Sequence, residues 1–319
     1  MNYTAVIRTL GTAGEKYQQL LDSLASQSVQ PNEIIVYIAE GYPLPKETIG
    51  KERYVCVKKG MVAQRALRYD EVKTEYILFL DDDLFLPDDF VEKMYSALVE
   101  NELDVISPDI YPNDKRSLKV EIMMTLSGRM RARRGDDEWG YKVMRTGGYS
   151  YNKNLQKSVY RSQTNAGACF FCKKDDFLRI KFHEELWIDR ISYPIGEDQV
   201  MYYKMHLNGL IQATLYHSGI IHLDAGNNLN NKEKQQKNVG SDIFFKLIFW
   251  HRFIQSPEKN CITRLWNKIC IGYFLIFGLV LSFIKGEREM LQIKKQAINN
   301  AVEFLKSGEY INLPKIKKQ

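Results

Sequence analysis

At 319 residues, with 26% charged and 12% aromatic residues, the chain is long enough to bury a sizeable core and too apolar to stay disordered. Its net charge of +6 is small for this length, and no groove-reading motif or aromatic RNA platform accompanies it, which argues against a nucleic-acid partner. The five cysteines suggest no disulfide framework, and free thiols suit a reducing compartment.

Strand and helix patterns alternate from the start. Thr4 to Thr9 reads as a strand and Lys16 to Gln27 as a helix; Glu33 to Ile38 and Arg53 to Val57 read as strands, Met61 to Val72 as a helix, Tyr76 to Leu80 as a strand and Pro87 to Asn101 as a helix. This alternation predicts a mostly parallel sheet with helices on both faces. In the first helix Tyr17, Leu20, Leu21 and Leu24 recur at i, i+3, i+4 and i+7, the spacing of one core-facing stripe. Gly11-x-x-Gly14-Glu15-Lys16 lacks the spacing of a phosphate-binding P-loop. The first residues lead directly into a strand without a signal peptide's charged start and apolar run.

The run Tyr76-Ile77-Leu78-Phe79-Leu80 ends in Asp81-Asp82-Asp83, which puts dense negative charge where a buried strand leaves the core. Asp81 and Asp83, hard oxygen ligands one residue apart, suit Mg²⁺ or Mn²⁺ shared with a diphosphate. Pro87 is placed to open the next helix, with Asp88 and Asp89 complementing its dipole. From Asp109 to Thr164 the pattern weakens into charged, Gly-rich and Tyr-rich sequence, expected to form acceptor-facing loops. Within it Arg129, Arg131, Arg133 and Arg134 precede Asp136-Asp137-Glu138, either as a solvated loop or as a loop recognising an anionic lipid or phosphate. Cys169-x-x-Cys172 lies in Gly167-Ala168-Cys169-Phe170-Phe171-Cys172, a buried-strand pattern in which residues three apart face opposite sides, so the thiols are expected in the core.

A second acidic element, Glu197-Asp198, follows Gly196 and opens the helical pattern that ends at Asn208-Gly209. Strand-like segments follow from Leu210 to Tyr216 and from Gly219 to Leu223, the latter carrying His222. Two aspartates from one strand end and an imidazole from a later one make a plausible cation site with a face open to substrate oxygens. A cation there would neutralise a leaving diphosphate, and Asp198 is the candidate general base for an attacking hydroxyl.

These residues resemble the inverting nucleotide-sugar glycosyltransferases of family 2, which have the GT-A fold. The resemblance spans roughly residues 3 to 225, beginning with Ala5-Val6-Ile7-Arg8-Thr9-Leu10 and continuing through Pro31-Asn32-Glu33-Ile34-Ile35-Val36-Tyr37-Ile38. It implies that Asp81 and Asp83 are the D-x-D pair holding the metal and sugar diphosphate, that Asp198 is the catalytic base, and that His222 is the additional histidine of some members. It also implies donor or substrate contacts by Thr9, Glu40, Gln64, Arg65, Asp82 and Glu197. The family often has an acidic pair after its second strand, whereas Ala39-Glu40-Gly41 leaves one acid.

The C-terminal third changes character after the polar stretch from Asn227 to Ser241. Ile243 to Trp250 is apolar around most of a helix, and Leu265 to Ile284 is barely long enough to span a bilayer, its uncharged portion from Ile269 being shorter, with basic residues on both sides. A final amphipathic stretch precedes Lys315-Ile316-Lys317-Lys318. The expected architecture is therefore an α/β GT-A-type domain over residues 1–226, a mostly parallel sheet flanked by helices, with a helical membrane-associating region over 227–319. That region is expected on the cytoplasmic face of the membrane, as interfacial or re-entrant helices, with one span and a buried core pair as the alternatives. The expected activity is metal-dependent, inverting sugar transfer from a nucleotide-diphosphate sugar to an acceptor hydroxyl, on a glycan or lipid-linked intermediate of polysaccharide synthesis. A catalytically silent membrane scaffold and a nucleotidyltransferase are the alternatives.

Overall fold

The computed structural model describes residues 1–110, 116–135, 137–224 and 231–316. The strands are β1 (Tyr3–Thr9), β2 (Glu33–Ala39), β3 (Glu52–Val57), β4 (Tyr76–Asp81), β5 (Leu84–Phe85), β6 (Val105–Pro108), β7 (Met130–Arg133), β8 (Trp139–Val143), β9 (Tyr149–Asn152), β10 (Val159–Ser162), β11 (Cys169–Lys173), β12 (Gln212–Leu215) and β13 (Ile221–His222). The longer helices are α1 (Glu15–Ala25), α2 (Phe90–Glu100), α3 (Leu118–Leu126), α4 (Lys174–Arg179), α5 (Glu197–Leu207), α6 (Lys232–Phe249), α7 (Cys261–Ile284) and α8 (Arg288–Lys306).

Most of the strands form one mixed sheet in the order β3-β2-β1-β4-β11-β6-β12-β10-β8-β9-β7; β5 and β13 form a separate antiparallel pair. The pairs β1–β2, β1–β4 and β2–β3 are parallel, and β11 runs antiparallel between β4 and β6. Side chains alternate across the sheet as the pleat requires. Ile77 and Phe79 of β4 join the core on one face with residues of α5 and α6, while Leu78 and Leu80 join the core on the other with residues of α1 and α2. Cys169 and Cys172 fall on opposite faces, both fully buried, as the strand pattern predicts. The stripe Tyr17, Leu20, Leu21 and Leu24 is buried as expected.

Three local expectations are corrected. Residues Met61 to Val72 form turns, not a helix, because the Asp189 carboxylate accepts from the Val62 and Ala63 amides at 2.8 and 3.0 Å and holds the chain in a tight bend. The helix expected to open at Pro87 opens at Phe90, because a turn closed by Phe90 N–H and Pro87 C=O occupies the intervening residues. The segment from Asp109 to Thr164 is not simply loop: α3 and the short strands β7 to β10 lie within it and extend the sheet. Within the arginine cluster, Arg133 pairs with Asp137 and Arg129 with Asp242 at 2.9 Å, while Asp136 lies outside the described residues.

The boundary expected between residues 226 and 227 also lies outside the described residues. Beyond it, Ile243, Phe245, Ile248 and Phe249 of α6 are buried in the same core as β4 and α5, so the first of the two C-terminal apolar stretches belongs to the protein interior. The chain then passes through a π-helical turn, Trp250–Gln255, whose Arg252 reaches back to a fully buried carboxylate. Glu185 accepts from Arg252 Nε and Nη2, both at 2.7 Å, from Lys204 Nζ of α5 at 2.9 Å and from Trp187 Nε1 at 2.8 Å. Burial alone would raise the Glu185 pKa, but the two cations hold it below its ordinary value near 4.5.

Replacing Glu185 with Gln would leave two buried cations under-compensated, at an expected cost of about 3–5 kcal/mol. Because the folded-state pKa is depressed, the difference between wild type and Glu185→Gln should be full at pH 7 and shrink only as the pH falls below the unfolded-state value. Urea unfolding of both proteins across this range checks it; equal stabilities at pH 7 would refute the role of the network.

Candidate active site

The site lies at the carboxyl ends of the parallel strands, where backbone groups leave the sheet and the first turn of α5 approaches. A cavity of about 670 Å³ there is lined by Arg8, Thr9, Gln64, the three aspartates Asp81 to Asp83, Glu197, Asp198 and His222. Nearly all the residues expected from the sequence thus meet around one space.

Two arginines organise its floor. Arg8, at the end of β1, donates to both oxygens of Asp81 at 2.5 and 3.2 Å and to both oxygens of Glu197 at 2.9 and 3.0 Å. Arg65 lies beneath, 3% exposed, with nitrogens 3.3 Å from Asp81 Oδ1, 3.0 Å from Glu197 Oε1 and 3.4 Å from Asp198 Oδ1. The Arg65 nitrogen nearest Asp81, Nη2, also donates to the Gly167 carbonyl at 2.7 Å. The result is a partly buried network of two cations and three carboxylates, with Arg65 and Glu197 at its buried base. Burial would raise the Asp81 pKa, yet Arg8 and Arg65 hold it below the ordinary value; for Glu197 burial outweighs the same two arginines and the pKa is raised.

The acidic triplet divides its tasks. Asp82 accepts from the Thr9 hydroxyl, whose oxygen in turn accepts from the Gly11 amide at 2.8 Å, and burial beside its two acidic neighbours pushes the Asp82 carboxyl up to about 6. Asp83 turns to β13, where its Oδ2 lies 3.1 Å from His222 Nε2. The antiparallel pairing of His222 with Leu84, and a hydrogen bond from the Leu223 amide to the Asp83 carbonyl at 2.9 Å, set this meeting. Burial would lower the His222 pKa, but its bond to Asp83 and the surrounding carboxylates raise it.

A carboxylate oxygen and an imidazole nitrogen at this distance, on the wall of the cavity, fit a hard divalent cation whose other positions are filled by phosphate oxygens and water. Asp81 does not extend this donor set as arranged, because its two oxygens accept from guanidinium groups. Among the described residues no group of three His, Cys, Asp or Glu side chains gathers closely enough to hold a cation alone. Of the three residues expected to share one ion, Asp83 and His222 face each other, while Asp81 faces the two arginines.

Asp198 occupies the second position of α5, 41% exposed, while Glu197 beside it is buried. Gly196 precedes them at φ +85, the left-handed conformation that turns the chain into the helix. A second cavity of about 370 Å³, lined by Tyr141, Tyr149, Asn165, Arg129 and Lys246 among others, shares Ile195, Gly196 and Asp198 with the first. Asp198 thus stands on the common wall of two cavities.

The remaining expected contacts separate. Gln64 donates to the Thr9 carbonyl at 3.1 Å and lines the first cavity. Glu40 is exposed at the end of β2 and does not line it. Sequence reading passed over Arg8, Lys16, Lys59 and Asp224, all on the wall of the first cavity. For Arg8 a signal was present: a cation inside an otherwise apolar strand needs a buried anion. Lys16 of α1 and Asp224 just past β13, an ion pair between segments far apart in sequence, left none.

Residues 54–171 match the family model for glycosyl transferase family 2. A comparison with curated proteins finds no match. Among solved structures, TarS from S. aureus, residues 1–349, aligns with a TM-score of 0.50 at 14% identity, covering 98% of this chain and 81% of that one. GalNAc-T7, solved with UDP, GalNAc and Mn²⁺, aligns with a TM-score of 0.48 at 10% identity over 84% of this chain, which spans 55% of that longer one. The match to glycosyl transferase family 2 thus lies in residues 54–171, on a fold similar to that of TarS.

Proposed function

We propose that the chain transfers a sugar from a nucleotide-diphosphate donor to an acceptor hydroxyl by a single inverting displacement that depends on Mg²⁺ or Mn²⁺. The observation that carries this reading is the placement of Asp198 on the wall shared by the two cavities. The donor occupies the larger cavity, with its diphosphate toward Asp83 and His222 and the positive charge of Lys16 and Lys59 on the same walls. A divalent cation held by Asp83 and His222 would offset the charge developing on the departing diphosphate. The acceptor occupies the smaller cavity and presents its hydroxyl to Asp198, which takes the proton as the hydroxyl oxygen bonds to the anomeric carbon. Arg65 keeps Asp198 oriented from below. We place the reaction at the cytoplasmic face of a membrane, on a lipid-linked or surface-polysaccharide acceptor, a reading supported by the free thiols and by the exposed apolar helix α7.

A nucleotide-sugar hydrolysis screen with the purified protein and each metal, followed by acceptor trials, tests the reaction. Asp198→Asn should lose about 10²–10⁴-fold in turnover while still binding donor and metal. Asp83→Ala should abolish metal-dependent donor binding by calorimetry. Near-normal transfer by the first variant, a product that keeps the donor's anomeric configuration, or unchanged donor affinity in the second would each overturn the corresponding assignment.

Gly167 offers a subtler probe, since a β-carbon there would collide with Asp198 Oδ1 and Arg65 Nη1. Gly167→Ala should displace the base and depress kcat by about ten- to a hundredfold, with little change in donor affinity. Unaltered kcat would show that the Asp198 position is not set by this contact.

A further inference from the structure

Helix α7 inverts the usual arrangement of a surface helix. Its buried face carries Asn267, Ile271, Phe274 and Ser282, and its exposed face carries Ile262, Leu265, Ile269, Ile276, Val280 and Phe283, a single stripe at helical spacing. The helix is 24 residues long with a mean hydropathy of 1.9 over its apolar window, which by length and composition alone would suffice to cross a bilayer. Its contacts oppose that orientation. Asn267 accepts from Arg145 at 2.8 Å, Tyr273 donates to the Leu126 carbonyl at 2.5 Å, and Lys294 of α8 donates to the Gly278 carbonyl and the Ser282 hydroxyl, both at 2.8 Å. From residue 267 to 282, roughly 22 Å of axis, one face is bound to the protein body. A spanning pose would carry that body into hydrocarbon.

The Tyr273 contact joins α7 to α3, about 150 residues earlier in the chain. In α3 only Glu121 is buried, whereas Leu118, Val120, Ile122 and Leu126 are each at least 41% exposed. The exposed charges of the two helices are Lys119, Arg264 and Lys268, all positive, while Glu121, the one acid, is covered by its ion pair with Lys153. An apolar face of this extent with a cationic complement and no exposed acid matches the chemistry of an anionic lipid surface. Met124 of α3 and Arg129 just beyond it also line the smaller cavity beside Asp198.

We propose that the outward faces of α3 and α7 form one docking surface for an anionic bilayer, with α7 lying in the headgroup plane, and that it seats the smaller cavity beside the membrane. The second half of this inference rests on the proposed glycosyl transfer, because it makes that cavity the acceptor's. The bilayer then presents the acceptor to the cavity past α3.

Flotation of the full-length protein with phosphatidylcholine vesicles, with and without about one-third phosphatidylglycerol, tests the surface. Binding should require the anionic lipid. Leu118→Glu/Ile122→Glu and, separately, Leu265→Glu/Ile269→Glu should each weaken it about tenfold or more, while nucleotide-sugar hydrolysis is retained. Brominated lipids should quench the exposed Trp266, and Trp266→Phe should remove that quenching. Wild-type protein that floats with neither vesicle, α3 variants that bind like wild type, or a dimer broken by the same substitutions without vesicle binding would overturn the proposal, the last by showing that a second copy covers the face. Flotation reads no chemistry, so a failure of sugar transfer would leave the docking surface standing and sink only the acceptor route.

Discussion

The site depends on one electrostatic constraint: Arg8 and Arg65 share the carboxylates of Asp81, Glu197 and Asp198. None of these groups could be buried alone, since an unpaired charge in a protein interior is too costly to persist. Together they fasten the end of β1, the turn after β3, the end of β4 and the start of α5 to each other. All four acids line the larger cavity, but Asp81 and Glu197 each meet both arginines, whereas Asp83 faces His222 and Asp198 also borders the smaller cavity.

This arrangement explains how much of the site was legible in the sequence. Asp83, Asp198 and His222 could be found because each follows a strong local pattern, an apolar strand ending in acids, a helix opening after glycine, or a late strand. The exclusive pairing of Asp81 could not, because it depends on partners 73 and 16 residues away and no local pattern encodes their approach. Arg65, read as a donor contact from the resemblance, lies buried beneath the cavity. Residues 61–72 have helical composition but were folded into turns by Asp189, more than a hundred residues later. Tertiary contacts outweighed propensity there.

The fold shows the same division. The parallel half of the sheet and both of its covering layers followed from alternation and periodicity. Strands β7 to β10 did not, since each is only four or five residues long and their composition is polar. The two C-terminal apolar stretches looked similar in sequence and differ in the fold: the apolar end of α6 is enclosed by the core, whereas α7 is covered on one face only. Hydropathy measures composition and is blind to what lies opposite each residue.

The Glu185 cluster has a consequence for how the molecule opens. Asp198 begins α5, and Lys204 lies six residues, about 9 Å, further along the same rigid rod. Lys204 is tied to Glu185, and Glu185 to Arg252 beyond the end of α6. The helix that carries Asp198 and the chain that leads into α7 therefore share one buried ionic clasp. Amide protons of α5 and of residues 245–255 should exchange as a single cooperative unit. Fraying of the C-terminal segment would then loosen the cavity wall that carries Asp198 in the same event.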